Sequence, residues 1–175
     1  MSYLGIQKPT NRIVAAGEPI VIQQNVETAT NMYPGRLVIK GTNDNDIAVC
    51  GAAGISTGWL GYEQVGTGMP TTIDTIYAAG AQAPVLMGGG FVVVGYLAQS
   101  QTIVKGDRLV AAAGGMVSKA AAATVTTGSA TASAVVSTTP TVTGSVGIGG
   151  IVVGIAMQTI TTTSAEADIL VLSLI

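Results

Sequence analysis

The sequence predicts a mostly β protein, and three observations carry that expectation. Glycine occurs 24 times in 175 residues, Thr, Val and Ile recur in short runs, and little of the chain has the apolar spacing of an amphipathic helix. Short runs of β-branched residues between glycines are the pattern of strands joined by tight turns.

Taken in order, residues 1–33 read as an extended N-terminal arm. The stretch is polar and irregular apart from Glu18-Pro19-Ile20-Val21-Ile22-Gln23, and it contains Lys8-Pro9-Thr10-Asn11-Arg12. Pro, Gln and Asn make a poor core. Residues 34–175 read as the β domain. Arg36-Leu37-Val38-Ile39-Lys40 is a strand, Gly41-Thr42-Asn43-Asp44-Asn45-Asp46 a turn, and Ile47-Ala48-Val49-Cys50 the returning strand. The Asn-Asp cluster lacks the alternating ligand spacing and closing glutamate of a calcium loop, so turn chemistry explains it better. Thr72-Ile73-Asp74-Thr75-Ile76-Tyr77 alternates and reads as a half-buried strand.

Ala83-Pro84-Val85-Leu86-Met87, the Gly88-Gly89-Gly90 turn and Phe91-Val92-Val93-Val94-Gly95-Tyr96-Leu97 follow, the last run apolar enough to be covered on both faces. Lys105-Gly106-Asp107 is another turn. Gly114-Gly115 supplies the positive φ angles of a two-residue hairpin between Arg108-Leu109-Val110-Ala111-Ala112-Ala113 and Met116-Val117-Ser118-Lys119-Ala120. Residues 120–144 are almost wholly Ala, Thr, Ser, Val and Gly, and read as an inserted low-charge segment, either an ordered β excursion packed against a neighbouring subunit, which is the expectation, or a flexible loop. Gly150-Ile151-Val152-Val153-Gly154-Ile155-Ala156-Met157 and a final strand ending at the C-terminus complete the chain.

Composition excludes most site chemistry. There is no histidine and one cysteine, Cys50, so zinc sites built on several Cys or His, Ser-His-Asp triads and Cys-His pairs have no ligands or base. Cys50 lies in an apolar stretch and reads as a small buried hydrophobe. Only 9% of residues are charged, against roughly 25% in an ordinary soluble domain. Seven basic and nine acidic residues give a net charge of -2 with no basic run, which speaks against nucleic acid as a partner. The apolar stretch between Asp74 and Lys105 is broken by Pro84, glycines and glutamines, so no spanning helix is expected. The first residues lack the basic start and long apolar stretch of a secretory signal.

Gly147-Ile148-Gly149-Gly150 fails the dinucleotide pattern at Val152, and no Lys-Ser or Lys-Thr follows the three glycines at 88 to 90. The acids are scattered, with Glu63 and Asp74 the one pair that would merit inspection as a hydrolase site. No catalytic residue, cofactor, metal or small-molecule substrate is therefore expected. Trp59, the sole tryptophan, is equally suited to anchoring a partner and to filling the core.

The order Gly95-Tyr96-Leu97, Val104-Lys105-Gly106-Asp107-Arg108-Leu109-Val110, Gly114-Gly115-Met116-Val117-Ser118-Lys119-Ala120, Val153-Gly154-Ile155-Ala156 and a last apolar strand resembles the capsid decoration, or cement, proteins of tailed bacterial and archaeal viruses. That group includes the lambda head-stabilising type. Pro34-Gly35-Arg36-Leu37-Val38-Ile39-Lys40 through Gly58-Trp59-Leu60-Gly61-Tyr62-Glu63 is similar to the front part of such proteins. The resemblance implies a small β-barrel or β-tulip domain, a homotrimer on the outside of an HK97-type shell, and the major capsid protein as partner. It also implies a structural, non-enzymatic role at the virion surface, stabilising the head against internal DNA pressure, with the arm lying over the shell. Candidate partner-binding residues are Tyr3, Leu4 and Ile6 of the arm, with Trp59 and Tyr62. Other virion parts (tail tube, head fibre, baseplate) and a cell-surface β module are the alternatives.

Overall fold

The structure, a computed structural model, describes residues 12–52, 54–63, 72–121 and 150–175. The described residues form two small barrels packed side by side. The first is a closed ring of five strands: β2 (Ile20–Val26), β4 (Asp46–Val49), β3 (Leu37–Lys40), β5 (Gly58–Leu60) and β6 (Gln82–Met87). The second holds β1 (Val14–Ala16), β7 (Val92–Leu97), β10 (Val117–Lys119), β9 (Arg108–Ala111), β11 (Val152–Ala156) and β13 (Ala167–Ser173) in that order. A long antiparallel pairing of β13 with β7, from Ala167↔Leu97 to Leu172↔Val92, closes five of these strands on themselves and leaves β1 outside the ring. A two-stranded ribbon of β8 (Thr102–Ile103) and β12 (Ile160–Thr161) lies beside it.

Closure pairs most strand edges and lets most strands bury both faces, although β2 meets β4 only at Asn25 and Val26. Consecutive residues of the first barrel thus serve different cores. Val38, Leu60 and Val85 point into the first barrel with Ile47, Met32 and Tyr77. Their neighbours Leu37, Trp59 and Leu86 lie side by side across β3, β5 and β6 and pack outward against Phe91, Val93, Leu97, Leu109 and Val171. The period-two alternation of a strand makes this possible. Trp59 is the wedge between the barrels: it is fully buried and lies over Gly95, where an added Cβ would sit 2.8 Å from its ring. Its indole N–H donates to Ser173 Oγ at 3.1 Å. Burying such a side chain removes roughly 150–250 Å² from water, worth ~4–6 kcal/mol as an upper bound at about 25 cal/mol per Å².

The barrels are also locked by a hairpin tip. β9 and β10 pair antiparallel with Ala111 opposite Val117, as their glycines lead one to expect, but the connection is longer than two residues. It is a 3-10 turn over Ala113–Gly115, bracketed by a bond from Ala112 N–H to Met116 O at 2.8 Å. Gly115 at φ +72° presses against the first barrel, with no room for a Cβ beside Leu37 O at 2.7 Å and Val49 Cγ2 at 2.8 Å. Its N–H donates to Cys50 O at 2.7 Å. Contact with the first barrel shapes this loop.

Several expectations need correction. Residues 12–33 are not an arm: β1 pairs with β7 and β2 is a full barrel strand paired with β6 and β4. Gln23, Gln24 and Asn25 are tolerated there because β2 is largely solvent-facing before Val26. Residues 72–77 are turns, not a strand. Thr75 Oγ1 donates to Thr72 O at 2.9 Å and Asp74 N–H to Thr72 Oγ1 at 3.3 Å, local bonds that compete with a ladder. The last strand ends at Ser173, two residues before the C-terminus. Residues 1–11 and 122–149 lie outside the described residues, so the readings of the arm's beginning and of most of the 120–144 excursion fall there. The mostly β, barrel-like fold stands as expected.

Candidate functional site

The turn that resembled part of a calcium loop uses its oxygens on itself. Asn43 Nδ2 donates to Asp46 Oδ2 at 2.6 Å, Gly41 N–H to Asp46 O at 2.7 Å, and the Thr42 hydroxyl and N–H to the Glu27 carboxylate. Among the described residues no group of three or more acids, cysteines or histidines is placed to hold a metal ion.

The described surface does hold a groove of about 370 Å³ where the barrels meet. One wall is the outer face of the β2–β6 ribbon, where the cross-strand pairs Val21↔Leu86 and Gln23↔Pro84 put four side chains on one side. The other is the chain entering β1, residues 12–14, and Tyr62 and Glu63 contribute from the segment after β5. The lining is apolar apart from Arg12, Gln23, Tyr62 and Glu63. Gln23 Nε2 donates to Glu63 Oε2 at 2.7 Å, and the Glu63 N–H donates to Tyr77 Oη at 2.9 Å. Tyr77 in turn donates to Gly61 O at 3.2 Å, which fixes the segment carrying Tyr62 and Glu63 against the first barrel's core. Burial, and next to it the Glu63 charge, pushes the Tyr77 phenol up to about 12.

β2 exposes Val21 on the groove side and Ile20 and Ile22 on its opposite face, at 52%, 65% and 43% exposure. Three consecutive exposed apolar residues are unusual on a chain with a well-filled core, and such patches mark interaction surfaces.

Of the candidate partner-binding residues, Tyr62 is half-buried and lines this groove. Trp59 does not reach the surface. Of its two roles, the structure shows core filler, because β5 turns it toward the second barrel. Tyr3, Leu4 and Ile6 lie outside the described residues. Glu63 lines the groove and Asp74 does not, so the one acid pair worth inspecting is not brought together there. Cys50 is buried, its Sγ 3.4 Å from Gly51 O, and burial raises its thiol pKa. That makes it a poor nucleophile. Arg12, Val21 and Gln23 were missed because they sit in the stretch read as an arm; the run Ile20-Val21-Ile22 was the available signal.

The described residues define a mostly β, double-barrel fold with an exposed apolar strand beside a mainly apolar cleft. No protein-family model and no curated protein matches the chain. Among solved structures it is similar to the head fiber gp8.5 N base in bacteriophage phi29, at 11% identity and a TM-score of 0.44, covering 88% of this chain and 92% of that one. At that identity and score the likeness bears on no residue of the groove.

Proposed function

We propose that this is a non-enzymatic structural protein of a virus particle, bound as trimers to the outside of an HK97-type capsid and stabilising it against the pressure of packaged DNA. The observation that carries the reading is the exposed, uncharged strand β2 beside the groove, on a chain of which 9% is charged. Such a surface favours permanent association, since apolar contact is opposed by little charge repulsion. The decoration-protein pattern supports it. Lys105, Gly106 and Asp107 form the turn before β9, and Asp107 accepts from Val104 N–H at 2.8 Å and pairs with Lys119 at 2.7 Å, while Gly114 and Gly115 form the tip that locks the barrels. These residues shape the second barrel, and among the described residues the β2 side of the first is left to meet a partner.

Stabilisation follows from multivalency. A trimer bridging several shell subunits must break several contacts at once to leave, so weak single contacts add to a durable attachment. Tyr3, Leu4, Ile6 and Tyr62 are the side chains assigned to the shell contact in this reading. The test is to add the purified protein to capsids stripped of it and to heat them. Bound protein should raise the temperature at which DNA is released; protein that neither co-sediments with capsids nor delays release would overturn the proposal.

A further inference from the structure

Most of β2 is bonded along one edge only. Toward β6 it pairs from Ile20 to Asn25, but toward β4 it pairs only at Asn25 and Val26. Among the described residues no strand pairs with residues 20–24 on that side. The direction of their main-chain groups follows from the bonds further along. Asn25 N–H donates to Asn45 O at 2.8 Å and Glu27 N–H to Ile47 O at 3.0 Å, both on the β4 side, whereas Val26 N–H turns the other way to Ala81 O. By alternation, Val21 and Gln23 aim their N–H and C=O groups at the open edge.

Natural sheets guard open edges with Lys, Pro, bulges or a covering segment. None of the first three occurs within β2, whose seven residues are uncharged. We infer that this edge is a strand-addition site, where an extended segment of the shell protein pairs with residues 20–24. The inference rests on the proposed attachment to a capsid and gives it a location.

The edge states the chemistry of its occupant. Donors and acceptors repeating about every 7 Å along a strand are matched by another polypeptide backbone, not by a lipid or a small molecule. The middle of the incoming segment is uncharged and apolar on both faces, to cover Ile20 and Ile22 on one side and Val21 on the other. Glu18, exposed just before β2, favours a basic residue where the segment passes it. Main-chain bonds supply affinity and the apolar contacts supply register.

Amide hydrogen exchange tests this, on the free protein and on protein bound to purified capsids. In the free protein, Ile22 and Gln24 amides should exchange slowly and Val21 and Gln23 rapidly; on capsids the latter two should slow at least tenfold. Val21→Pro, which removes an outward N–H, and Ile22→Lys, which charges the patch, should each keep the wild-type melting temperature and lose at least tenfold in capsid binding. Wild-type binding with unchanged Val21 and Gln23 exchange, or with both folded variants binding normally, would overturn the inference while leaving attachment standing. No binding of the wild type to capsids would remove both. Protection of Val21 and Gln23 in the free protein also overturns it: if protection grows with protein concentration the occupant is a second copy, and if not, the chain covers its own edge.

Discussion

Arg36 and Glu166, 130 residues apart in the chain, meet at 2.6 Å across the junction of the two barrels. The guanidinium also donates to Gly114 O at 2.6 Å, and it stacks over the rings of Tyr33 and Tyr96 at 5.1 and 4.8 Å. The Arg36 side chain is 5% exposed and that of Glu166 45%, so the two halves of the pair are not equivalent. Arg36 Nε has no hydrogen-bond partner.

The asymmetry sets a direction. Glu166→Gln leaves a buried cation without its counter-charge and should cost about 2–3 kcal/mol. Arg36→Met removes the buried charge, fills the space between the tyrosines and leaves a carboxylate that water can reach, so it should cost about 1 kcal/mol or less. Urea denaturation of both variants checks the order, and a larger loss for Arg36→Met would contradict it.

The hairpin tip is argued to be fixed by the first barrel, and paired glycine variants separate that from turn strain. Gly115→Ala meets Leu37 O and Val49 as well as a φ of +72°, whereas Gly106→Ala meets open space at φ +97°. The second should cost about 1 kcal/mol for the backbone alone, and the first at least ~2 kcal/mol more. Equal losses in thermal denaturation would mean that the tip is not docked.

Ser173 is buried and serves two roles: its hydroxyl receives the Trp59 N–H and donates to Ile175 O at 2.8 Å. Ser173→Ala should cost about 1–3 kcal/mol by leaving the indole unpaired. Native Trp59 fluorescence should be blue-shifted and resist acrylamide; red-shifted, easily quenched emission would contradict its burial.

Alkaline pH tests the first barrel's core. The Tyr77 pKa is raised from 10.0 to about 12 by burial. Its contribution to stability is therefore complete below pH 10 and is lost as pH climbs toward 12, because the unfolded chain ionises first. Tyr77→Phe should flatten this decline between pH 10 and 12 in urea titrations. At the other end, Lys119 and the Val104 N–H hold the Asp107 carboxyl below its ordinary value. The stability this gives is present above pH 3.8 and lost below it, a loss that Asp107→Asn should remove.

The strands were largely legible because their alternation is local: β3, β4, β6, β7, β9, β11 and β13 fall where the runs of Val, Ile and Leu lie, and β10 follows the Gly114-Gly115 turn. What was not legible depends on contacts between distant segments. Two barrels instead of one follow from the β7–β13 pairing, and the Arg36 cluster gathers residues 33, 36, 96, 114 and 166. β2 was misread because its outer residues are polar or exposed and Pro19 precedes it, features shared by arms and by strands with an open edge. Of the groove, Tyr62 was anticipated; Arg12, Val21 and Pro84 come from separate segments whose meeting no local pattern encodes.

The most direct test of the central claim is the number of copies of this chain per copy of the major shell protein, by quantitative mass spectrometry of purified particles. A ratio near one, with particles that leak DNA once the chain is washed off, is the result expected of trimers bound throughout the shell. A few copies per particle would assign the chain to a tail, fibre or other local part, and its absence from particles would contradict the account.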